Sequence, residues 1–234
     1  MSWHNKNTGA YARSSTEAQD NAKMVYDVLS GCGWVLDAVA AMLGNVEHES
    51  GYNPWRWQGD TVLATTNTYE INNQTGHAYG LCQQDPAGKY INSTYAQMIS
   101  GFGPNFSDQA GSQNDGNSQM YYLHHVCEAG LPEWDATNPM AQGLGLPYAD
   151  FIINTPGYTV AQLTRTFFGC YERGTWSATR VTAAEYWYNF LQNYSPQPPS
   201  DTGATWFAVF HVIGRKKKGT ILYRHKNRPG GGFR

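Results

Sequence analysis

The run from Val35 to Ser50 (VLDAVAAMLGNVEHES), closed at once by Gly51-Tyr-Asn-Pro54, constrains this chain more than any other stretch. At about 100° per residue, Leu36, Val39, Ala40, Leu43 and Val46 fall on one stripe, which predicts a helix over 35–50 with that face buried. Gly51 stops the helix and Asn53-Pro54 confirms the stop. A carboxylate in the last turn of a helix lies at the negative end of the helix dipole, which favours the protonated acid that general acid catalysis requires. Two glutamates compete for that position. Glu47 and Glu49 stand roughly 200° apart around the helix and cannot form one dyad. Glu47 falls inside the apolar stripe and reads as a buried or paired carboxylate holding the core, whereas Glu49 lies on the flank, nearer a groove. Local physics leaves the choice open.

Around this helix the chain reads as α+β, mainly α. Ser14-Ser15-Thr16-Glu17 is a capping-box pattern that opens a helix over 15–30, stopped by Gly31 and Gly33. Further helices are expected over 85–100, 117–129, 159–170 and 177–193. Residues 52–80, rich in Thr, Asn, Gly and Trp, predict short irregular strands and loops. Ser195-Pro-Gln-Pro-Pro-Ser200 reads as a stiff linker, and TWFAVFHVI, GRKKKG and TILYRHK beyond it read as a β-hairpin with a basic tip. The expected organisation is a flexible leader over 1–14, a globular body over 15–194, a Pro-rich linker over 195–203 and a basic β-hairpin tail over 204–234.

Composition removes several function classes. Aromatic residues make up 14% of the chain, which excludes a disordered one. No apolar run approaches the roughly 18–20 residues of a membrane span, and the N-terminus lacks the apolar core of a secretory signal. Residues 1–200 carry 8 Lys/Arg against 17 Asp/Glu, a net −9, while residues 201–234 carry 8 Lys/Arg against Asp201 alone, a net +7. The body is therefore no nucleic-acid binder by charge. Cys32, Cys82, Cys127 and Cys170 show no CxxC spacing and read as small buried thiols. His124, His125, Cys127 and Glu128 crowd one helix too tightly for a tetrahedral zinc site, so no metal or cofactor is expected.

The run from Gly33 to Gln58 resembles the phage tail lysozyme family, whose motif is a helix opened by Gly-Trp and leading to Gly-Asn-x-x-x-Glu-Ser-Gly-x-Asn-Pro. Three further blocks match in order over residues 15–193. His77 to Tyr90 is similar to the family's Tyr-Gly-Leu-x-Gln-Trp-x-Pro-x-x-Lys-Tyr, Gln119 to Glu128 to the helix that follows, and Thr166 to Arg173 to its closing Tyr-Glu-Arg-Pro. The chain departs from the pattern at Gln84, where the family usually has Trp, and at Gly174, where it has Pro.

The resemblance implies a lysozyme-like fold with a small irregular β-region. The implied activity is hydrolysis of the β-1,4 bond between N-acetylmuramic acid and N-acetylglucosamine in peptidoglycan, by a protein of a phage tail or virion that opens the host cell wall. It maps the family's catalytic glutamate to Glu49. Asp60, Glu70 and Asp85 lie where a second carboxylate is expected; Asp60 is the first choice as water-positioning base, and Asp85, ahead of Pro86, reads equally as a helix cap. Tyr52, Trp57 and Tyr79 are candidates to stack on sugar faces, with core packing as the alternative for each. Gln83 is placed to bond an N-acetyl group and Tyr171 to line the site opposite Glu49. Glu172 and Arg173 read as structural, each paired with something else. The rival readings are a lytic transglycosylase, which releases 1,6-anhydro sugars, and a non-catalytic glycan-binding tail component. Arg215 to Lys218 in the tail serve either to attach the protein to anionic wall polymers or other virion proteins, or only to keep a hairpin tip in solvent.

Overall fold

The structure, a computed structural model, describes residues 2–6, 8–60, 78–97, 115–130 and 133–197. The chain divides into two compact units, Met1–Pro199 and Ser200–Arg234, and the described residues all belong to the first. The expected hairpin over 204–234, the end of the linker and Glu70 lie outside the described residues.

Eight α-helices are present among the described residues: α1 (Thr16–Gly31), α2 (Leu36–Glu49), α3 (Gly88–Ile91), α4 (Thr94–Gln97), α5 (Asp115–Glu128), α6 (Tyr148–Ile152), α7 (Val160–Phe167) and α8 (Thr179–Leu191). 3₁₀ turns at Gln58–Asp60 and Pro139–Ala141 and a π turn at Phe168–Glu172 complete the set among the described residues. Extended structure among these residues amounts to antiparallel bridges between Trp57 and Tyr79 and between Tyr79 and Gln84. None of the described helices is long and apolar enough to cross a membrane.

Helix α2 is the axis of the fold. Every residue from Ala38 to Val46 is buried, so the helix is enclosed on all sides rather than along the single expected stripe. The reason is that α1, α6, α7 and α8 all pack against it. Alanines at 38, 40 and 41 keep its other faces slim, and Gly44 lets α8 cross almost backbone to backbone. A Cβ at Gly44 would lie 2.4 Å from the Arg180 carbonyl oxygen and 2.7 Å from the Ala184 Cβ.

Elsewhere local and tertiary contacts both reshape the expected elements. The helix expected over 85–100 is two short helices, because the Ser93 hydroxyl accepts the Ala96 N–H (3.3 Å) and starts a new turn. The helix expected over 159–170 passes into the π turn, where Gly169 lies against the 3₁₀ turn; a Cβ there would stand 2.2 Å from the Ala141 nitrogen. The leader is not loose. Trp3 is buried and its Nε1 donates to Asn117 Oδ1 (2.8 Å). The buried amides of Asn21 and Asn53 hold the backbone of His4, Lys6 and Gly9 by bonds of 2.8–3.3 Å. The four cysteines are free and buried, and burial pushes their thiols up, Cys32 to about 12 and Cys170 to about 11.

Asp115 opens α5 inside the core. It accepts the Tyr79 hydroxyl (2.6 Å), the Gln119 amide (2.9 Å) and the Tyr90 hydroxyl. Burial pushes this carboxyl up to about 6, against those three hydrogen bonds, which act to lower it. A carboxyl that holds its proton more tightly when folded contributes stability that is full below the ordinary value of 3.8 and is lost as pH rises through about 6. Thermal melts of wild type and Asp115→Asn from pH 4 to 7 should therefore show wild type losing stability relative to the variant as pH rises; a pH-independent difference would contradict the assignment.

Candidate active site

Glu49, the last residue of α2, is partly exposed, and its Oε1 accepts the Arg180 Nη2 at 2.8 Å. Arg180 is buried in the first turn of α8. Each charge sits at the unfavourable end of its own helix dipole, an anion at a C-terminus and a cation at an N-terminus, and each relieves the other. Asn45, one turn back along α2, fixes the guanidinium: Nη1 donates to the Asn45 Oδ1 (3.2 Å) and carbonyl oxygen (3.3 Å). Nη2 also reaches the Thr175 carbonyl (3.4 Å), and the Phe168 ring lies 5.1 Å from the guanidinium carbon. After Glu49 the chain reverses sharply. Gly51 adopts φ 55°, and a Cβ there would stand 2.2 Å from the Ala10 Cβ, so only glycine lets the leader lie across this turn.

Beside the pair lies an open cleft of about 410 Å³ lined by His48, Glu49, Arg56, Gln58, Gln83 and Asp85, with Gly59, Ala78 and Gly174 completing the wall. The His48 Nε2 is 2.7 Å from the Thr179 hydroxyl, and burial followed by the Arg180 charge pushes its pKa down. A Cβ at Gly174 would meet nothing within 4 Å, so the departure from proline there is a change at an open rim.

The cleft brings together Glu49 and Gln83, whose amide nitrogen donates to the carbonyls of Arg56 (3.0 Å) and Gly80 (2.9 Å). It does not bring the candidate stacking rings to its surface. Tyr52 and Trp57 are 1% exposed and Tyr79 is 0% exposed. A left-handed backbone at Tyr52 (φ 62°) turns its ring inward, edge-on to Trp187 at 5.0 Å, with its hydroxyl accepting the Trp187 Nε1 (2.7 Å). Trp57 packs on Tyr79 at 4.7 Å, and Tyr79 is committed to Asp115. Tyr171 is likewise buried, its hydroxyl accepting the amide of Gln84, which thereby occupies the family's tryptophan position as a hydrogen-bonding residue. These aromatics brace the cleft from beneath. Asp60 lies in a left-handed turn (φ 56°), with Oδ1 accepting the Gly9 N–H (2.7 Å) and the Arg56 Nε (3.2 Å).

Two residues at this centre escape sequence reasoning. Arg180 carried a readable sign, a cation at the head of a helix, where the dipole disfavours it. Glu172 was expected to be paired, but of the two adjacent residues only Arg173 is, donating to the carbonyls of Tyr171 (3.1 Å) and Glu133 (3.0 Å). The Glu172 Oε1 is shut off from solvent with no hydrogen-bond partner. Burial holds the Glu172 carboxyl well above the usual carboxylate range, the charge of Glu49 adds in the same direction, and Arg180 and Arg173 oppose.

The family model for phage tail lysozyme matches residues 20–191. Morphogenesis protein 1 of Bacillus phage B103 is 29% identical over 181 residues, covering 76% of this chain and 41% of that protein, so the chain spans about two fifths of that relative's length.

The other glutamate of α2 is occupied. The Glu47 carboxylate accepts Arg13 through two bonds of 2.6 Å and the Tyr52 hydroxyl at 2.5 Å. Burial pushes its pKa up, and these partners more than offset it, holding the carboxyl below its ordinary value of 4.5. Such a group contributes stability above the ordinary value that is lost as pH falls through the lowered one. Glu47→Gln should therefore lower Tm at pH 7 and narrow its gap from wild type as pH falls below about 4.5, as read by thermal melts.

Proposed function

Because the chain belongs to the phage tail lysozyme family, we propose that it is a peptidoglycan hydrolase of a phage tail or virion, cleaving the β-1,4 bond between N-acetylmuramic acid and N-acetylglucosamine. The observation that carries this reading is Glu49, partly exposed in a cleft and held by a buried arginine. In its protonated form Glu49 delivers a proton to the glycosidic oxygen as the bond from that oxygen to the anomeric carbon breaks. A water oxygen then bonds to the anomeric carbon, and the proton it releases passes to a carboxylate. We assign that base to Asp85 ahead of Asp60, because Asp85 lines the cleft with Glu49. Gln83 holds its amide nitrogen on backbone carbonyls, which leaves its oxygen to accept the N–H of an N-acetyl group. Association with a phage particle is supported by the family and by the similarity to a phage morphogenesis protein.

Mass spectrometry of muropeptides released from purified peptidoglycan tests the reading. Wild type should release fragments with reducing N-acetylmuramic ends, and Glu49→Gln should lose at least about 100-fold in rate. Anhydro ends lost in the same variant would make the protein a transglycosylase, in which the sugar's own 6-hydroxyl replaces water. No release from any wall type would leave a glycan-binding tail component. In the same assay Asp85→Asn should lose at least about tenfold while Asp60→Asn stays near wild type; the reverse order would return the base role to Asp60.

A further inference from the structure

Among the described residues that line the cleft, Arg56 is the one permanent cation, since burial and the Arg180 charge both disfavour a charged His48. Its main chain is fixed. The Arg56 N–H donates to the Asn53 carbonyl (3.2 Å), and the Arg56 carbonyl accepts the Gly80 N–H (2.9 Å) and the Gln83 amide nitrogen (3.0 Å). Its side chain leans on Asp60 through Nε (3.2 Å) and Nη2 (3.5 Å). Nη1 has no acceptor among the described residues and lies at the turn that follows Glu49, where a Cβ at Gly51 would stand 3.6 Å from it.

We propose that Arg56 is a specificity-determining residue that binds a substrate carboxylate, so that the cleft prefers acidic wall glycan to neutral polymers of N-acetylglucosamine. The inference rests on this cleft being the glycan site proposed above. The two polymers share the β-1,4 bond and the N-acetyl group. Peptidoglycan alone carries carboxylates, either on its lactyl ether or on the stem peptide attached there. The Gln83 oxygen addresses what the polymers share, and Arg56, whose carbonyl holds the Gln83 amide, addresses what separates them. A guanidinium suits that task because its planar fork forms strong charge-assisted bonds to a carboxylate.

The Asp60 pair does not use up this cation. Its contacts are long for charge-assisted bonds, and the Asp60 side chain is 38% exposed, so solvent screens the pair and little is lost when a ligand shares the guanidinium. Arg180, the other arginine near Glu49, is buried and already committed to Glu49 and Asn45. Residues 1–200 carry a net −9, which repels an acidic polymer at a distance, so recognition of its carboxylates requires a cation inside the cleft itself.

Calorimetric titration with soluble glycan strands tests the proposal, with Glu49→Gln as the common background so that strands stay uncut. Adding Arg56→Met should weaken binding of carboxylate-bearing strands by at least about tenfold and leave binding of N-acetylated chitooligosaccharides unchanged. Blocking the strand carboxylates as methylamides should cost the protein with Arg56 the same factor, a comparison that needs no variant at position 56 to fold. Strands stripped of their stems by an amidase expose lactyl carboxylates, whereas intact strands carry stem carboxylates alone, so the class that shows the dependence on Arg56 names the source. Equal affinity for charged and blocked strands, or an equal loss on charged and neutral glycans in Arg56→Met, would make Arg56 a structural residue and overturn the proposal. Binding that depends on Arg56 in a protein whose wild type releases no fragments would sink the hydrolase reading and leave the carboxylate site standing.

Discussion

The guanidinium of Arg180 ties together the parts of the molecule that have to meet for a site to exist. It reaches α2 through Asn45 and Glu49, the segment before α8 through Thr175, and the start of the π turn through the Phe168 ring. It is buried at the head of α8, where desolvation and the helix dipole both oppose a cation, so its place there depends on the carboxylate and amide oxygens that surround it. Those oxygens can surround it only because Gly44 lets the two helices close to near backbone contact. The run Gly44-Asn45 followed by Glu49-Ser50-Gly51 then has a physical reading residue by residue. Gly44 admits α8, Asn45 holds the arginine, Glu49 faces it, Ser50 caps the helix, and Gly51 makes room for Ala10.

Around that centre the molecule separates a polar cleft from an aromatic underlayer. Rings that flank Glu49 in sequence, Tyr52, Trp57 and Tyr79, turn their faces into the core, and the hydroxyls of Tyr52 and Tyr79 donate to Glu47 and Asp115. The wall is left to His48, Arg56, Gln58, Gln83 and Asp85, side chains suited to a hydroxyl- and amide-rich ligand. The floor is stiff because its hydroxyls converge on two carboxylates, Glu47 and Asp115, each bound by more than one donor.

What the sequence made legible was whatever is local. The start of α1 at a capping serine, the extent of α2 and the stop at Gly51 follow from spacing and from residues next to one another, and each lies within a residue or two of its expected place. The choice of Glu49 over Glu47 was not local; it came from the resemblance. Most of the expectations that changed depended on a distant partner. Nothing near Ala38 or Ala41 says that four helices will enclose them, nothing near Trp3 names Asn117, and the left-handed turn at Tyr52 reverses the face its ring would otherwise show. Glu172 was misread for the same reason, since the absence of a partner can be seen only once every neighbour is in place.

The four thiols carry a last consequence. All are reduced, buried and held in the protonated form, so none is ready to attack a disulfide or to be captured by one. The described fold has no cross-link to lose, and burial keeps its thiols from readily gaining one.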